Sequence, residues 1–160
     1  MKIVINLAEQ RLDLLGDDEG LVRSWPVSTA ANGAGEQSGS GCTPRGRHII
    51  RAKIGADMPV NTVFAGRRPT GEIYSPELGK IEPERDWILS RILWLSGKEP
   101  SFNRMGAQDS MRRFIYIHGT PDEGFAPEPQ SHGCIRMRNQ DLVELFDLVP
   151  VLTPVDIREA

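Results

Sequence analysis

Two short segments of this 160-residue chain carry the side chains that could do chemistry. A cysteine lies among histidine, glycine and arginine in the segment Ser131-His132-Gly133-Cys134-Ile135-Arg136-Met137. A second histidine ends a strongly apolar run in the segment Ile117-His118-Gly119-Thr120. A thiol becomes a good nucleophile when a neighbouring group removes its proton or stabilises the thiolate, and imidazole is a common agent. This combination predicts a cysteine acyl-transfer enzyme.

The spacing suits His118 as the base for Cys134. A free cysteine has a pKa of about 8.5, so only a few per cent of it is thiolate at pH 7. An adjacent imidazolium lowers that pKa by several units. His118 ends an apolar run that would hold its ring rigidly, and residues 121–130 are long enough to bring Cys134 back to it. We therefore expect the two side chains to meet, and the pKa of Cys134 to be lowered.

The neighbours of Cys134 have the chemistry to bind reacting groups. Gly133 permits a tight turn, so that the N–H groups of Gly133 and Cys134 can converge on an oxyanion, worth about 3 kcal/mol per donor. Ser131 could tie this loop to neighbouring backbone or to His132. Arg136 shares a face with Cys134 if the segment is extended, and it could hold a substrate carboxylate there.

Other interpretations of these residues stay open at this point. A free cysteine is usually an inert, buried, small apolar side chain, and a histidine at a strand end is commonly structural. A zinc site built from His118, His132 and Cys134 would need His48 as its fourth ligand, and the chain has no CxxC or HExxH element. Cys42 has no assigned role. Because both cysteines lie in glycine-rich loops, we expect them to be unpaired.

The bulk composition limits the class of protein. A chain of this length fits a single domain over residues 1–160. Its 19 basic and 22 acidic residues give a formal charge of −3, which disfavours nucleic acid as a partner. No apolar run approaches the ~20 residues of a transmembrane segment, and charged residues interrupt the apolar N-terminus before an export signal could form. Nothing in the sequence indicates an oligomeric state.

Short apolar runs broken by Gly, Pro, Asn and Asp predict a mostly-β domain. The expected strands cover residues 3–7, 11–15, 21–29, 47–54, 87–95, 113–118 and 151–157. Residues 30–46 and 97–111 are expected to be loops, and residues 57–86 an irregular excursion over one end of the sheet.

One helix is predicted directly after the cysteine segment. It begins at Asn139 as N-cap and ends at Pro150. The apolar residues on one face follow helical spacing, namely Leu142, Leu145, Phe146 and Val149.

These residues resemble the L,D-transpeptidase family, the YkuD-type (ErfK/YbiS-like) catalytic domain of bacterial cell-wall enzymes. The family's motif is a His-Gly pair, then Ser/Thr-His-Gly-Cys, a small apolar residue and Arg or Asn. Here it is matched by His118-Gly119-Thr120 and by residues 131–137, and Thr43-Pro44-Arg45-Gly46 resembles the family's TPxG turn. The resemblance runs from end to end and is weakest over residues 57–84. It implies an antiparallel β-sandwich with one packed helix after the catalytic loop.

The resemblance also implies roles for the matching residues. Cys134 would attack the carbonyl of the third residue of a peptidoglycan stem tetrapeptide, release D-alanine and form a thioester. His118 would act as general base and acid, with its ring oriented by the Gly119 carbonyl. Arg136 would contact the substrate. The loop that shapes the oxyanion site would be Ser131, His132 and Gly133.

Two outcomes of that thioester are left open by the sequence. An amine acceptor would give a cross-link or attach a protein to the wall, whereas water would make the enzyme an L,D-carboxypeptidase. A wall-binding module with a vestigial thiol site is a third hypothesis. The resemblance implies no metal or organic cofactor, stem peptides as partners, and a part in peptidoglycan biosynthesis, cell-wall biogenesis and cell shape. It implies the periplasm or cell envelope, while the expected lack of an export signal leaves a cytoplasmic site open.

Overall fold

Ten strands form one mixed sheet in the computed structural model, which describes residues 1–160. In chain order they are β1 (Lys2–Asn6), β2 (Arg11–Leu15), β3 (Leu21–Pro26), β4 (Gly46–Ile54), β5 (Thr62–Ala65), β6 (Arg68–Ile73), β7 (Ile88–Gly97), β8 (Tyr116–Gly119), β9 (Ile135–Met137) and β10 (Pro154–Arg158). Two α-helices accompany them, α1 (Pro76–Ile81) and α2 (Asn139–Leu148), with 3₁₀ turns at Gly106–Gln108 and Asp122–Gly124. None of the helices has the length and apolar character needed to cross a membrane.

Strand β7 is the hub of the sheet. The strand order is β3-β2-β1-β10-β4-β7-β5-β6, and β7 also pairs with β8, which in turn pairs with β9. One edge of β7 therefore pairs with β4 and β5, and the other edge pairs with β8. All pairs are antiparallel except β1 with β10 and β8 with β9. The mostly-β class with one main helix is confirmed, and the sheet is mixed where an antiparallel one was expected.

The core follows the alternation of the strands. Ile3 and Ile5 of β1, and Leu12 and Leu14 of β2, are fully buried, because alternate residues of a strand face the same side. Burial of each such side chain stabilises the fold by about 1.5–3 kcal/mol. The predicted apolar face of α2 packs into this same core. The helix and β7 thereby brace the strands that carry the cysteine and histidine.

Most predicted elements are present, with changed ends. The first hairpin, β4, β7 and α2 lie where the sequence places them. The strand expected over residues 113–118 begins only at Tyr116, because Phe114 adopts a φ of 58° that a strand does not permit. The third strand ends at Pro26, and the last one begins at Pro154.

The excursion over residues 57–86 is more regular than expected. It contains the β5–β6 hairpin, which pairs with β7, and helix α1. The hairpin turn has Gly66 at φ 55° and Arg67 at φ 63°, the left-handed pair that a tight two-residue turn needs. This hairpin places Arg67 on the wall of a cavity that Cys134 also lines.

Candidate active site

The parallel pairing of β8 with β9 brings the two chemical segments together. Its register sets His118 opposite Arg136. Cys134 directly precedes β9, so it falls beside Tyr116, on the face that carries Arg136 and His118. These four side chains line one cavity of about 380 Å³. The shared face of Cys134 and Arg136 is the one that their spacing predicts.

The remaining predicted site residues lie in or directly behind this cavity. Ser131 and His132 line it. His132 is exposed and also lines two neighbouring cavities. Gly133 forms the turn before the cysteine, and Gly119 follows the histidine on β8. The structure therefore gathers all seven predicted residues in one place.

The thiol of Cys134 is held by backbone groups. Its S–H donates to the carbonyl of Phe114 at 3.3 Å, and its sulfur accepts from the N–H of Tyr116 at 3.4 Å. Burial of the sulfur raises the pKa of Cys134 to about 11, against a smaller lowering by the Tyr116 N–H. The expectation of a lowered pKa is therefore wrong, because desolvation outweighs every nearby positive charge and neither hydrogen bond comes from the imidazole.

His118 is an almost fully buried, neutral imidazole, only 1% exposed. Its Nδ1 lies 2.7 Å from the Gly119 carbonyl oxygen. A carbonyl only accepts, so Nδ1 carries the proton and Nε2 keeps its lone pair. Burial lowers the pKa of His118, and the Gly119 carbonyl partly offsets this. The ring is thus oriented and free to accept a proton at Nε2, in the geometry that the orienting role of Gly119 requires.

The cysteine loop is tied together by Ser131. Its hydroxyl donates to the Cys134 carbonyl at 2.6 Å and accepts from the Gly133 N–H at 3.2 Å. The Gly133 N–H is therefore occupied, contrary to the expectation of two convergent donors. The Cys134 N–H has no acceptor in the chain and remains available for an oxyanion.

Glycine is required at position 133 for two reasons. Its φ is +134°, a region that other residues rarely adopt. A Cβ there would lie 3.2 Å from the carbonyl oxygen of Cys42. The Gly133 carbonyl in turn accepts a hydrogen bond from the hydroxyl of Thr43 at 2.9 Å. The TPxG turn thus packs against the cysteine loop and hydrogen-bonds to it.

Arg136 forms an ion pair with a carboxylate of the same chain. Its guanidinium donates to Asp86 at 2.9 Å, while its buried Nε has no acceptor. Arg136 is therefore already neutralised by a carboxylate, which weakens its predicted role as the carboxylate-binding residue. The pair also acts on His118, whose pKa is raised by Asp86 and lowered by Arg136.

Of the six cavity-lining residues that the sequence analysis did not single out, four bring polar groups to the site. Phe114 and Tyr116 offer backbone groups to the thiol, a role that residue type cannot reveal. Asp86 and Arg67 come from the excursion, where no motif marks them. The one available signal was Gly66 directly after the apolar run of residues 62–65, because glycine readily supplies the positive φ of a tight turn.

Asn139 fixes the backbone behind the site. It is fully buried, and its amide nitrogen donates to the Thr120 carbonyl at 2.8 Å, while its oxygen accepts from the Ser90 hydroxyl at 2.5 Å. The helix N-cap is Arg138, one residue earlier than expected, and Asp122 accepts from the Asn139 N–H. Asn139 therefore joins β7, the turn after His118 and α2.

His48 lies apart from the cysteine. It is fully buried on β4, with Nδ1 3.0 Å from the Gly46 carbonyl oxygen and Nε2 2.8 Å from the Ser110 hydroxyl. Both ring nitrogens of His48 have hydrogen-bond partners, so His48 is not placed to be the fourth ligand of a zinc site with His118, His132 and Cys134. Nowhere do three His, Cys, Asp or Glu side chains group as a metal site would need. Cys42 and Cys134 are both free thiols.

Comparison with known proteins gives this site its family. Residues 1–157 match the family described as YkuD, the L,D-transpeptidase catalytic domain. The chain is 32% identical over 105 residues to the "Probable L,D-transpeptidase YbiS" of Escherichia coli K12, an alignment that covers 64% of this chain and 34% of that protein. The chain thus spans about a third of this curated relative.

Solved structures agree on the fold. An L,D-transpeptidase from Xylanimonas cellulosilytica superposes with a TM-score of 0.56 at 19% identity, over 98% of this chain and 59% of its own. One from Mycobacterium smegmatis gives 0.54 at 19% identity, over 98% and 57%. With the sequence match over nearly the whole chain, these findings identify the protein as a member of the YkuD family of L,D-transpeptidase catalytic domains.

Proposed function

We propose that this protein is an L,D-transpeptidase that acts on peptidoglycan stem tetrapeptides through a Cys134 thioester. The observation that carries the proposal is the shared cavity of Cys134 and His118, with Nε2 of the ring free to take a proton. Both groups rest neutral, so the proton leaves the thiol during attack. The histidine is the general base for this step and the thiol its nucleophile.

The proposed reaction forms a thioester and then transfers its acyl group to an amine. The Cys134 sulfur attacks the carbonyl of the third stem residue while its proton passes to Nε2 of His118. The Cys134 N–H donates to the oxyanion that forms. The intermediate then collapses, and the departing D-alanine amine takes the proton from His118. An acceptor amine attacks the thioester and gives its proton to His118, which returns it to the departing Cys134 sulfur as the new amide bond forms.

A second cavity that borders Cys134 supports transfer to an amine. Besides the cavity shared with His118, Cys134 borders a second cavity of about 350 Å³, which Arg113 and Phe114 also line. A donor peptide in one cavity leaves the other for an acceptor. Water at the same place would give L,D-carboxypeptidase activity.

Product analysis tests the proposal. With a stem tetrapeptide and excess acceptor stem, we expect cross-linked product, which Cys134→Ala abolishes and Cys42→Ala preserves. Tripeptide alone at every acceptor concentration would indicate the carboxypeptidase instead. Binding without any product would indicate a wall-binding module. Loss of product in Cys42→Ala, with Cys134→Ala still active, would show that the wrong thiol is assigned.

We also propose the periplasm or cell envelope as the place of action, since peptidoglycan lies outside the cytoplasmic membrane. The role there would be peptidoglycan biosynthesis and cell-wall biogenesis. Fractionation of cells that express the full-length protein, followed by detection with an antibody, tests this compartment. Recovery in the cytoplasmic fraction alone would contradict it.

A further inference from the structure

Of the two arginines that line the cavity shared by Cys134 and His118, Arg67 is the one without a carboxylate partner. Arg136 is paired with Asp86, and Arg113 donates to the carbonyl oxygens of Gly35, Glu36 and Cys42. Arg67 lines the same cavity as Cys134, and its guanidinium makes a single hydrogen bond, to the Tyr116 hydroxyl at 3.0 Å. A guanidinium has five N–H donors, so most of those of Arg67 are unused.

Aromatic rings hold this guanidinium in place. Its Cζ lies 4.9 Å from the ring centroid of Trp94 and 4.8 Å from that of Phe114. Such contacts between a cation and a ring are favourable but leave the edge of the guanidinium plane free to donate. The side chain is partly buried, and its backbone is fixed by the tight turn between β5 and β6. Arg67 is thus positioned in advance for a planar anion.

The same two residues position the thiol and this charge. Phe114 offers its carbonyl to the Cys134 S–H and its ring to Arg67. Tyr116 offers its N–H to the sulfur and its hydroxyl to Arg67. An anion bound at Arg67 is therefore set at a fixed place relative to the nucleophile.

We propose that Arg67 is a specificity-determining residue that binds a carboxylate of the acyl-donor stem while Cys134 attacks. The inference rests on the proposed function. Two carboxylates of a stem tetrapeptide lie on the two residues that the scissile bond joins. One is on the side chain of the third residue, when that is a diaminopimelate, and the other is the terminal carboxylate of D-alanine. Bidentate pairing with a guanidinium distinguishes either from its amide.

Single-turnover acylation tests this assignment. The rate of Cys134 adduct formation is followed by intact-protein mass spectrometry with three donors: the unmodified tetrapeptide, its third-residue side-chain amide and its C-terminal amide. Arg67→Met should slow the unmodified donor about 10- to 100-fold, the loss expected for a charge-assisted hydrogen bond. In the wild type, one of the two amides should form the Cys134 adduct more slowly than the unmodified donor, by a similar factor. In Arg67→Met, that amide and the unmodified donor should form the adduct at the same rate. That amide identifies the carboxylate.

Matched variants control for folding and charge. Arg68→Met removes the neighbouring, exposed arginine of the same hairpin, and we expect it to leave all three rates unchanged. Arg67→Lys keeps the charge without the planar fork and should retain part of the preference. Equal slowing of all donors in Arg67→Met, or no slowing, would overturn the inference. If none of the three donors acylated the wild-type protein, the proposed function would be refuted, and this inference with it.

Discussion

At the residue scale, the free site holds a neutral thiol and a neutral imidazole in one cavity. Burial acts on both groups in the direction of the uncharged form, raising the pKa of Cys134 and lowering that of His118. A preformed thiolate–imidazolium pair would need the opposite shifts. The proposed reaction would therefore need proton transfer from Cys134 to His118 at the moment of attack, with substrate in the cavity.

Alkylation of the free enzyme should report this neutral thiol. In a Cys42→Ala background, the rate with a small electrophile should stay low at pH 7 and rise towards a pKa of about 11. Stopped-flow alkylation between pH 6 and pH 11 measures the profile. His118→Gln should leave it nearly unchanged. A titration well below the free-cysteine pKa of about 8.5 would instead establish a thiolate stabilised by the imidazole.

Gly133→Ala should damage the site through its backbone. The left-handed φ and the approach of the Cβ to the Cys42 carbonyl each cost energy, together about 1–3 kcal/mol. We expect a lower midpoint of urea unfolding and strongly reduced acylation. Gly71→Ala is the matched control, because Gly71 also has a positive φ but no atom within 4 Å of its Cβ. Equal effects of the two variants would contradict the proposed crowding.

At the element scale, the parallel pair β8–β9 is what assembles the site. Residues 120–134 connect the two strands, and Asn139 ties the start of that connection to β7 and α2. The β5–β6 hairpin then adds Arg67 from the other edge of β7. Local sequence describes none of these long-range pairings.

Asn139→Ala tests the tie between these elements. It leaves the Thr120 carbonyl and the Ser90 hydroxyl without their buried partner, so we expect a loss of about 1–3 kcal/mol in the free energy of unfolding. Urea denaturation measures this loss. Gln140→Ala, at the next and exposed position of α2, should change stability by less than about 0.5 kcal/mol. Similar stabilities of the two variants would show that the tie contributes little.

The sequence predicts elements better than it predicts their pairing. The first hairpin and α2 follow from alternation and helical spacing, which are local signals. The strand start at Tyr116 depends on the left-handed Phe114, which no propensity indicates. The β5–β6 hairpin is defined by a short turn and by pairing with β7. The site motif predicts which residues gather, but the raised pKa of Cys134 depends on desolvation by the whole fold.

At the scale of the whole molecule, two buried histidines make stability depend on pH. Burial lowers the pKa of His48 to about 4 and also lowers that of His118. Their pKa in the unfolded chain is about 6.5, so below that pH the unfolded state binds more protons than the folded one. The stabilising contribution is therefore present above pH 6.5 and is lost as pH falls towards 4.

Urea denaturation at pH 7 and pH 5 should show this loss. His48 alone should lower the free energy of unfolding by roughly 2 kcal/mol between the two pH values. His118 should add to it, so His48→Gln should reduce the dependence without removing it. A wild type equally stable at both pH values would contradict buried, neutral histidines.

Acylation of Cys134 by the donor stem is tested most directly by locating the acyl group in the protein. Protein mixed with a stem tetrapeptide, quenched in acid and digested with a protease, can be mapped by tandem mass spectrometry. We expect the tripeptidyl group on the peptide that contains Cys134, one D-alanine released per adduct, and no adduct in His118→Gln within the same time. An acyl group on Cys42, or D-alanine released with Cys134→Ala protein, would contradict acylation at Cys134.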